Sequence, residues 1–304
     1  MFSVLNLLVI SGGPSHTTGM SPPDAAGLTR REALQLSIVA GTALFLPHAT
    51  AMPATDDFEF LAVNDLHYHN AECDEWFTTV FAAMKESAPR AEFIILGGDL
   101  ADEGKPEQLQ GFHRLLPQLN FPFHAVPGNH DCATATDRTI YETLFAGHIN
   151  SAFVHRGWQF IGLDTADGDN WHDTTIPAST IDFLTRQLAT VSPKTPLVVF
   201  THFPLGENIF LPPQKPGSPT YNFRPLNADV LLEKLSGFNL QAILCGHYHS
   251  FTERKLGSAI LTTNKCCSRV QKNHDGSPEK GWFVCEARSG KISRRFVEIP
   301  ALLR

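Results

Sequence analysis

Five short apolar runs in this chain are each followed at once by residues able to hold a cation, and no other feature narrows the fold as much. After 58–63 (FEFLAV) comes Asn64-Asp65-Leu66-His67, and after 93–96 (FIIL) comes Gly97-Gly98-Asp99. After 123–126 (FHAV) comes Pro127-Gly128-Asn129-His130-Asp131; after 196–200 (PLVVF), Thr201-His202; and after 241–245 (QAILC), Gly246-His247-Tyr248-His249. Runs of this length and composition read as buried strands, as does a sixth at 158–163 (WQFIGL). Helical patterns lie between them at 73–88, 106–119, 137–146, 178–190 and 226–236; in the second, Leu109, Phe112, Leu115, Leu116 and Leu119 recur at helical spacing. Strands alternating with helices predict an α/β fold. In open α/β sheets the site lies beyond the carboxyl ends of the strands, so the five blocks are expected to converge.

The residue types fit one kind of chemistry. Imidazole nitrogen with carboxylate and amide oxygen suits divalent transition metals of intermediate softness. Two such ions ~3.5–4 Å apart can share a carboxylate, generate a nucleophile from water and neutralise phosphoryl oxygens. Alternation along an extended segment would point Asp65 with His67, and His247 with His249, at a common centre. Glycines before Asp99, Asn129 and His247 would let the backbone crowd the ions. His69 is expected to be a neighbour of this arm, not a ligand. His113, His124, His148, His155, His172 and His274 read as ordinary histidines, and Asp102 and Asp164 as turn or helix caps.

The ordered set D-x-H, G-D, G-N-H-D, H and G-H-x-H spans about residues 56–250, with 34, 30, 73 and 45 residues between Asp65, Asp99, Asn129, His202 and His247. It resembles the calcineurin-like metallophosphoesterase family. That resemblance implies a four-layer αββα sandwich with a C-terminal β-rich segment, and two divalent metal ions (manganese, iron or zinc). It implies Asp65, His67 and His249 as ligands of the first metal, Asn129, His202 and His247 as ligands of the second, and Asp99 as the bridge. His130 is similar to the family histidine that serves the leaving-group oxygen as general acid or charge stabiliser, and Asp131 is expected to orient it. A metal-bound hydroxide would be the nucleophile. Purple acid phosphatases carry a tyrosine three residues after the bridging aspartate; Asp102 stands there, which disfavours a ferric-tyrosinate centre. The blocks look closer to the bacterial branch holding cyclic-nucleotide and glycerophosphodiester phosphodiesterases. Many of its members place a basic residue after G-N-H-D, whereas this chain has Cys132-Ala133, a departure that argues against cyclic nucleotides. Hydrolysis of phosphodiesters is the expected activity, with an exported phosphomonoesterase or a non-catalytic binding module as alternatives.

A net charge of -7 and a pI near 6.0 give no footprint for nucleic acid. A small phosphoester is the expected partner. At the N-terminus, Arg30-Arg31 precedes an uncharged apolar run, 34–46, and the small-residue pattern Ala49-Thr50-Ala51. This is expected to be a targeting segment (1–51) resembling a twin-arginine export signal, cleaved after Ala51, with Met20 a more economical start. The run is shorter than the ~20 residues a spanning helix needs, so no stable membrane anchor is expected. Residues 56–250 then form the catalytic domain, and 251–304 supply strands that complete it. Six cysteines (Cys73, Cys132, Cys245, Cys266, Cys267 and Cys285) include no CxxC pair, and their spacing assigns no disulfide. The proline-rich segment 206–225 is a candidate lid. Arg224 and Asn222 there, and Asp169, Asn170 and His172 in the loop 166–177, have the chemistry to touch substrate, though the default for each is a solvated loop residue.

Overall fold

The computed structural model describes residues 57–211 and 219–299; the expected targeting segment lies outside the described residues. Two sheets carry the fold. The first has five strands in the order β13-β12-β1-β2-β3: β1 (Phe58–Val63), β2 (Ala91–Leu96) and β3 (Phe123–Ala125) are parallel, and β12 (Gly281–Arg288) and β13 (Lys291–Glu298) add antiparallel. The second, ordered β10-β11-β9-β6-β5-β4, comprises β4 (Ser151–His155), β5 (Trp158–Leu163), β6 (Leu197–Thr201), β9 (Leu240–Cys245), β10 (Thr252–Leu256) and β11 (Ala259–Thr263). β5, β6, β9 and β11 run parallel to their neighbours in this set, with antiparallel β4 and β10 at the edges.

Side-chain alternation sorts the strands into layers. In β1, Phe58, Phe60 and Ala62 face the core between the sheets with Phe93, Phe160, Phe200 and Phe283. Leu61 and Val63 face the opposite core, built with α1 (Cys73–Ser87), α2 (Pro106–Leu115) and α3 (Thr139–Leu144). Ile161, Leu163, Val199 and Ile243 of the second sheet pack in the same way on α4 (Ala178–Leu188) and α5 (Ala228–Leu235). Being covered on both faces is why these strands read as continuous apolar runs. The result is the four-layer αββα sandwich. The C-terminal strands enter both sheets, and the β12–β13 hairpin turns on Ser289 and Gly290, at φ 49 and 72, the signature of a two-residue type I′ turn.

Some elements were not legible in the sequence. β4, with Val154 68% exposed, and polar β10 are edge strands whose outer faces lack an apolar pattern. The 106–119 helix ends at Leu115 and continues as a 3-10 turn, Leu116–Leu119, because Pro117 has no N–H to carry the α pattern on. The 206–225 segment contains a short ladder, β7 (Phe210–Leu211) against β8 (Tyr221–Asn222). All six cysteines are free and buried, and among the described residues no helix is long and apolar enough to cross a membrane.

Where the edges of the two sheets meet, the His124 ring of β3 lies flat on Phe153 of β4, with centroids 3.5 Å apart. Burial, reinforced by His148 and His155, pushes the His124 imidazole down to about 4. An unfolded histidine titrates near 6.5, so between these values the unfolded chain binds more protons, and stability is lost as pH falls. The thermal midpoint should therefore decline from pH 6.5 to 4. His124→Gln, which loses the stack but cannot titrate, should lower the midpoint at pH 7 and flatten the decline; an unchanged slope in scanning calorimetry would exclude His124 as a source.

Candidate active site

The five blocks leave β1, β2, β3, β6 and β9 at the same rim, through strained backbone. Asp65, His67, Asp99, His247 and His249 all have positive φ, between 49 and 68. For residues other than glycine such conformations cost on the order of 1 kcal/mol each and persist only where the surroundings enforce them. Here the backbone enforces them: Asp65 N donates to Gly98 O at 3.1 Å, and Leu66 N and His67 N donate to Asp99 O at 2.9 Å each. Asp65 and His67 therefore meet through two left-handed turns, not through strand alternation.

Among the described residues, two donor clusters that share Asp99 result, with a further group of His67, Asp102 and His130 beside the first. Single ligand atoms of Asp65, His67, Asp99 and His249 lie within 4.8 Å of one another, as do those of Asp99, His202 and His247. Asn129 joins the second cluster with Oδ1 3.3 Å from His202 Nε2, which is itself 3.3 Å from Asp99 Oδ2. Asp99 thus belongs to both. All seven residues are buried.

Three of the four imidazoles of the clusters have their other nitrogen in a hydrogen bond to a backbone carbonyl. His202 Nδ1 donates to Gly97 O (2.9 Å), His249 Nδ1 to Lys272 O (3.0 Å) and His247 Nε2 to Trp171 O (2.8 Å). His67 Nδ1 lies 3.2 Å from Asp102 Oδ1. Such partners fix the tautomer and, in the neutral ring, leave the inward nitrogen as a lone pair. The inward Nε2 atoms of His67 and His249 then face each other at 3.1 Å, a contact that a proton shared between the rings satisfies and that a cation bound by both would replace. Burial alone would raise the Asp65 and Asp99 carboxyls, but the neighbouring imidazoles outweigh it and hold both below the usual range. Burial would lower His202, yet Asp99 and Asp65 bring it up to about 9. His249 is raised likewise by Asp65, so these rings hold protons that a metal would displace, and the set of imidazoles around buried carboxylates fits two divalent cations.

Two expected roles change. Asp131 does not orient His130. Its Oδ1 accepts Leu100 N (2.8 Å) and Ala101 N (2.9 Å), and its Oδ2 accepts Gly128 N (2.9 Å), so it ties the Asp99 turn to the Asn129 turn. His130 is held instead at Nδ1 by the Asp102 carbonyl, while its backbone N–H donates to Asp99 Oδ1 at 2.9 Å. Asp102, read as a cap, is thus the residue on which His67 and His130 both rest. Its second oxygen takes His69, whose 43% exposed side chain sits 3.1 Å away and outside both clusters.

The site opens into a cleft of ≈ 380 Å³ whose walls include His130, Trp171, Phe223, Gln271 and His274. The last four escaped the sequence reading. The only available signal for Trp171 was a tryptophan in a polar loop, and Gln271 and His274 lie beyond the last motif. Of the five loop candidates, Arg224 is buried, donating to Leu205 O and pairing with Asp229. Asn222 donates to Asn208 at 3.0 Å, Asn170 to Asp167 O at 2.9 Å, Asp169 is exposed, and His172 packs on Trp171 and Tyr221.

Two outcomes follow. A Cβ on Gly128 would lie 2.1 Å from Asp99 Oδ1, so Gly128→Ala should displace the shared carboxylate and lower bound metal, measured by elemental analysis; a full complement would show that Asp99 is not shared. His67→Ala should shed metal while His69→Ala keeps most of it, and the reverse would mean the arm's register is wrong.

A family model described as calcineurin-like phosphoesterase matches residues 58–251. A 3',5'-cyclic-nucleotide phosphodiesterase of Nostoc sp. is 28% identical over 152 residues, covering 50% of this chain but only 56% of that protein. A cAMP/cGMP dual specificity phosphodiesterase of Mycobacterium tuberculosis is 26% identical over 225 residues, 69% of this chain and 68% of its own length. In structure, a dimetal phosphatase from Danio rerio superposes with a TM-score of 0.57 at 12% identity, over 80% of this chain and 98% of that one, a likeness of fold alone. Match, fold and the buried Asp/His clusters agree: the chain belongs to the calcineurin-like phosphoesterase family, hydrolases of phosphoesters, and carries a dinuclear divalent metal site.

Proposed function

We propose that the chain is an exported phosphodiesterase for a small organic phosphodiester. Asp65, His67 and His249 would hold one cation, Asn129, His202 and His247 the other, and Asp99 both. One observation carries this reading: two donor clusters that share Asp99 open beside His130 into a cleft wide enough for more than a phosphate. When bound, the cations supply Lewis acidity to the phosphoryl group and lower the pKa of water.

The chain's own residues do the rest. Asp99 fixes the spacing of the two clusters, and its Oδ1 also receives the His130 backbone N–H. With Nδ1–H donating to the Asp102 carbonyl, the His130 ring would carry a second proton on Nε2 as the imidazolium, and that proton is the one to pass to the departing ester oxygen, leaving neutral imidazole. The open cleft leaves room for a second ester group. Because the chain is acidic overall, attraction of an anionic diester falls to the bound cations. The donors suit manganese, iron or zinc. Export rests on Arg30-Arg31, the apolar run after it and Ala49-Thr50-Ala51. Cyclic nucleotides stay disfavoured as the substrate by Cys132-Ala133, although the relatives above are named for them.

The chain from Met52 should hydrolyse bis(4-nitrophenyl) phosphate faster than 4-nitrophenyl phosphate. Chelation, or Asp99→Asn, should cut the rate by roughly two orders of magnitude or more. A faster monoester rate would support the phosphomonoesterase reading, and diester turnover that survives both changes would rule out the metal site as its source.

A further inference from the structure

We propose that Trp171 is a specificity residue, stacking on a planar ring in the organic part of the ester, so that the site selects ring-bearing over purely alkyl phosphoesters. The inference rests on the phosphoesterase reading above and names the substrate class of the same site.

Among the described residues, Trp171 is the one large apolar side chain lining the cleft that stays exposed, at 38%, while Phe223 is buried. The indole is contacted edge-on by His172 (centroids 4.2 Å) and Tyr221 (4.9 Å) and at a tilt by Phe223 (5.9 Å), and it lines the cleft. Its loop is laced to the segment that supplies the last two rings: Asp173 N donates to Asn222 O (2.8 Å), Leu226 N to Thr174 O (2.9 Å) and Ile176 N to Asn227 Oδ1 (2.8 Å). A ring fixed in this way loses little freedom on binding. Its position relative to the chemistry is also fixed, because the Trp171 carbonyl is the acceptor for His247 Nε2 at 2.8 Å. The same residue therefore sets one ligand of the second cluster and places an aromatic ring beside it. Further along the cleft, His249, His274 and Phe223 lie nearly parallel, at 4.7 and 5.4 Å, so a flat group entering beside the metals meets aromatic surfaces.

The test uses the metal-loaded chain and two probes whose P–C bond is not cleaved, phenylphosphonate and methylphosphonate, with binding measured by calorimetry. The wild type should favour the phenyl form. Trp171→Leu, which keeps an apolar side chain and the backbone carbonyl, should cut that preference roughly 5- to 100-fold, the usual range for a single stacking contact, and Trp171→Phe should restore part of it. Equal preferences in the Leu and Phe variants, or no preference in the wild type, would overturn the proposal even with diester turnover intact. Absence of turnover on every phosphodiester, with the preference present, would overturn the hydrolytic reading and leave the ring recognition standing.

Discussion

The site depends on how its histidines are held from behind. An imidazole serves a cation only through a bare nitrogen, and the nitrogen that is bare is decided by what the other one touches. Gly97, Trp171 and Lys272 contribute carbonyls to this and Asp102 a carboxylate, so three separate stretches of chain must arrive before the rings are set together. Asp65 and Asp99 stay ionised because these rings are there, and His202 and His249 draw protons because the carboxylates are there.

The sandwich makes this possible by ending its central strands at one rim. Phenylalanines between the sheets and aliphatic residues beneath the helices bury the strands on both faces, leaving the turns beyond their carboxyl ends to carry polar groups. Asp131 then does for the turns what the ladder does for the strands. A fully buried carboxylate that accepts three backbone N–H groups locks the Asp99 and Asn129 turns together, and strained backbone is affordable only when it is so locked.

Much of this was legible because strand ends and ligand blocks fall next to each other in sequence. Asp65, Asp99, Asn129, His202 and His247 each follow an apolar run, and the helical spacing around Leu109 and Phe112 was unambiguous. What was not legible is what depends on distance in space. Asp102 looks like any turn aspartate until His67 and His130 are seen resting on it, and Asp131 looks like a partner of its neighbour until its oxygens are seen on the backbone of residues 100, 101 and 128. Trp171 and His274 carry no motif; their place is set by loops that fold over the rim from either side. Edge strands β4 and β10 were missed because one-sided burial erases the apolar pattern.

The connection between β11 and β12 leaves one sheet and enters the other, and on its way it passes over the rim. Lys272 O holds His249, Gln271 Nε2 holds Asp102 at 2.7 Å, and Cys267 N reaches Asn64 O and Asp65 O at 3.3 and 3.2 Å. All three lie beyond residue 251, where the family match stops. A growing chain that has just released His249 therefore has every ligand in hand and none of this clasp. The placement of His249, of Asp65 and of the carboxylate beneath His67 thus rests in part on residues that follow the last ligand in the chain.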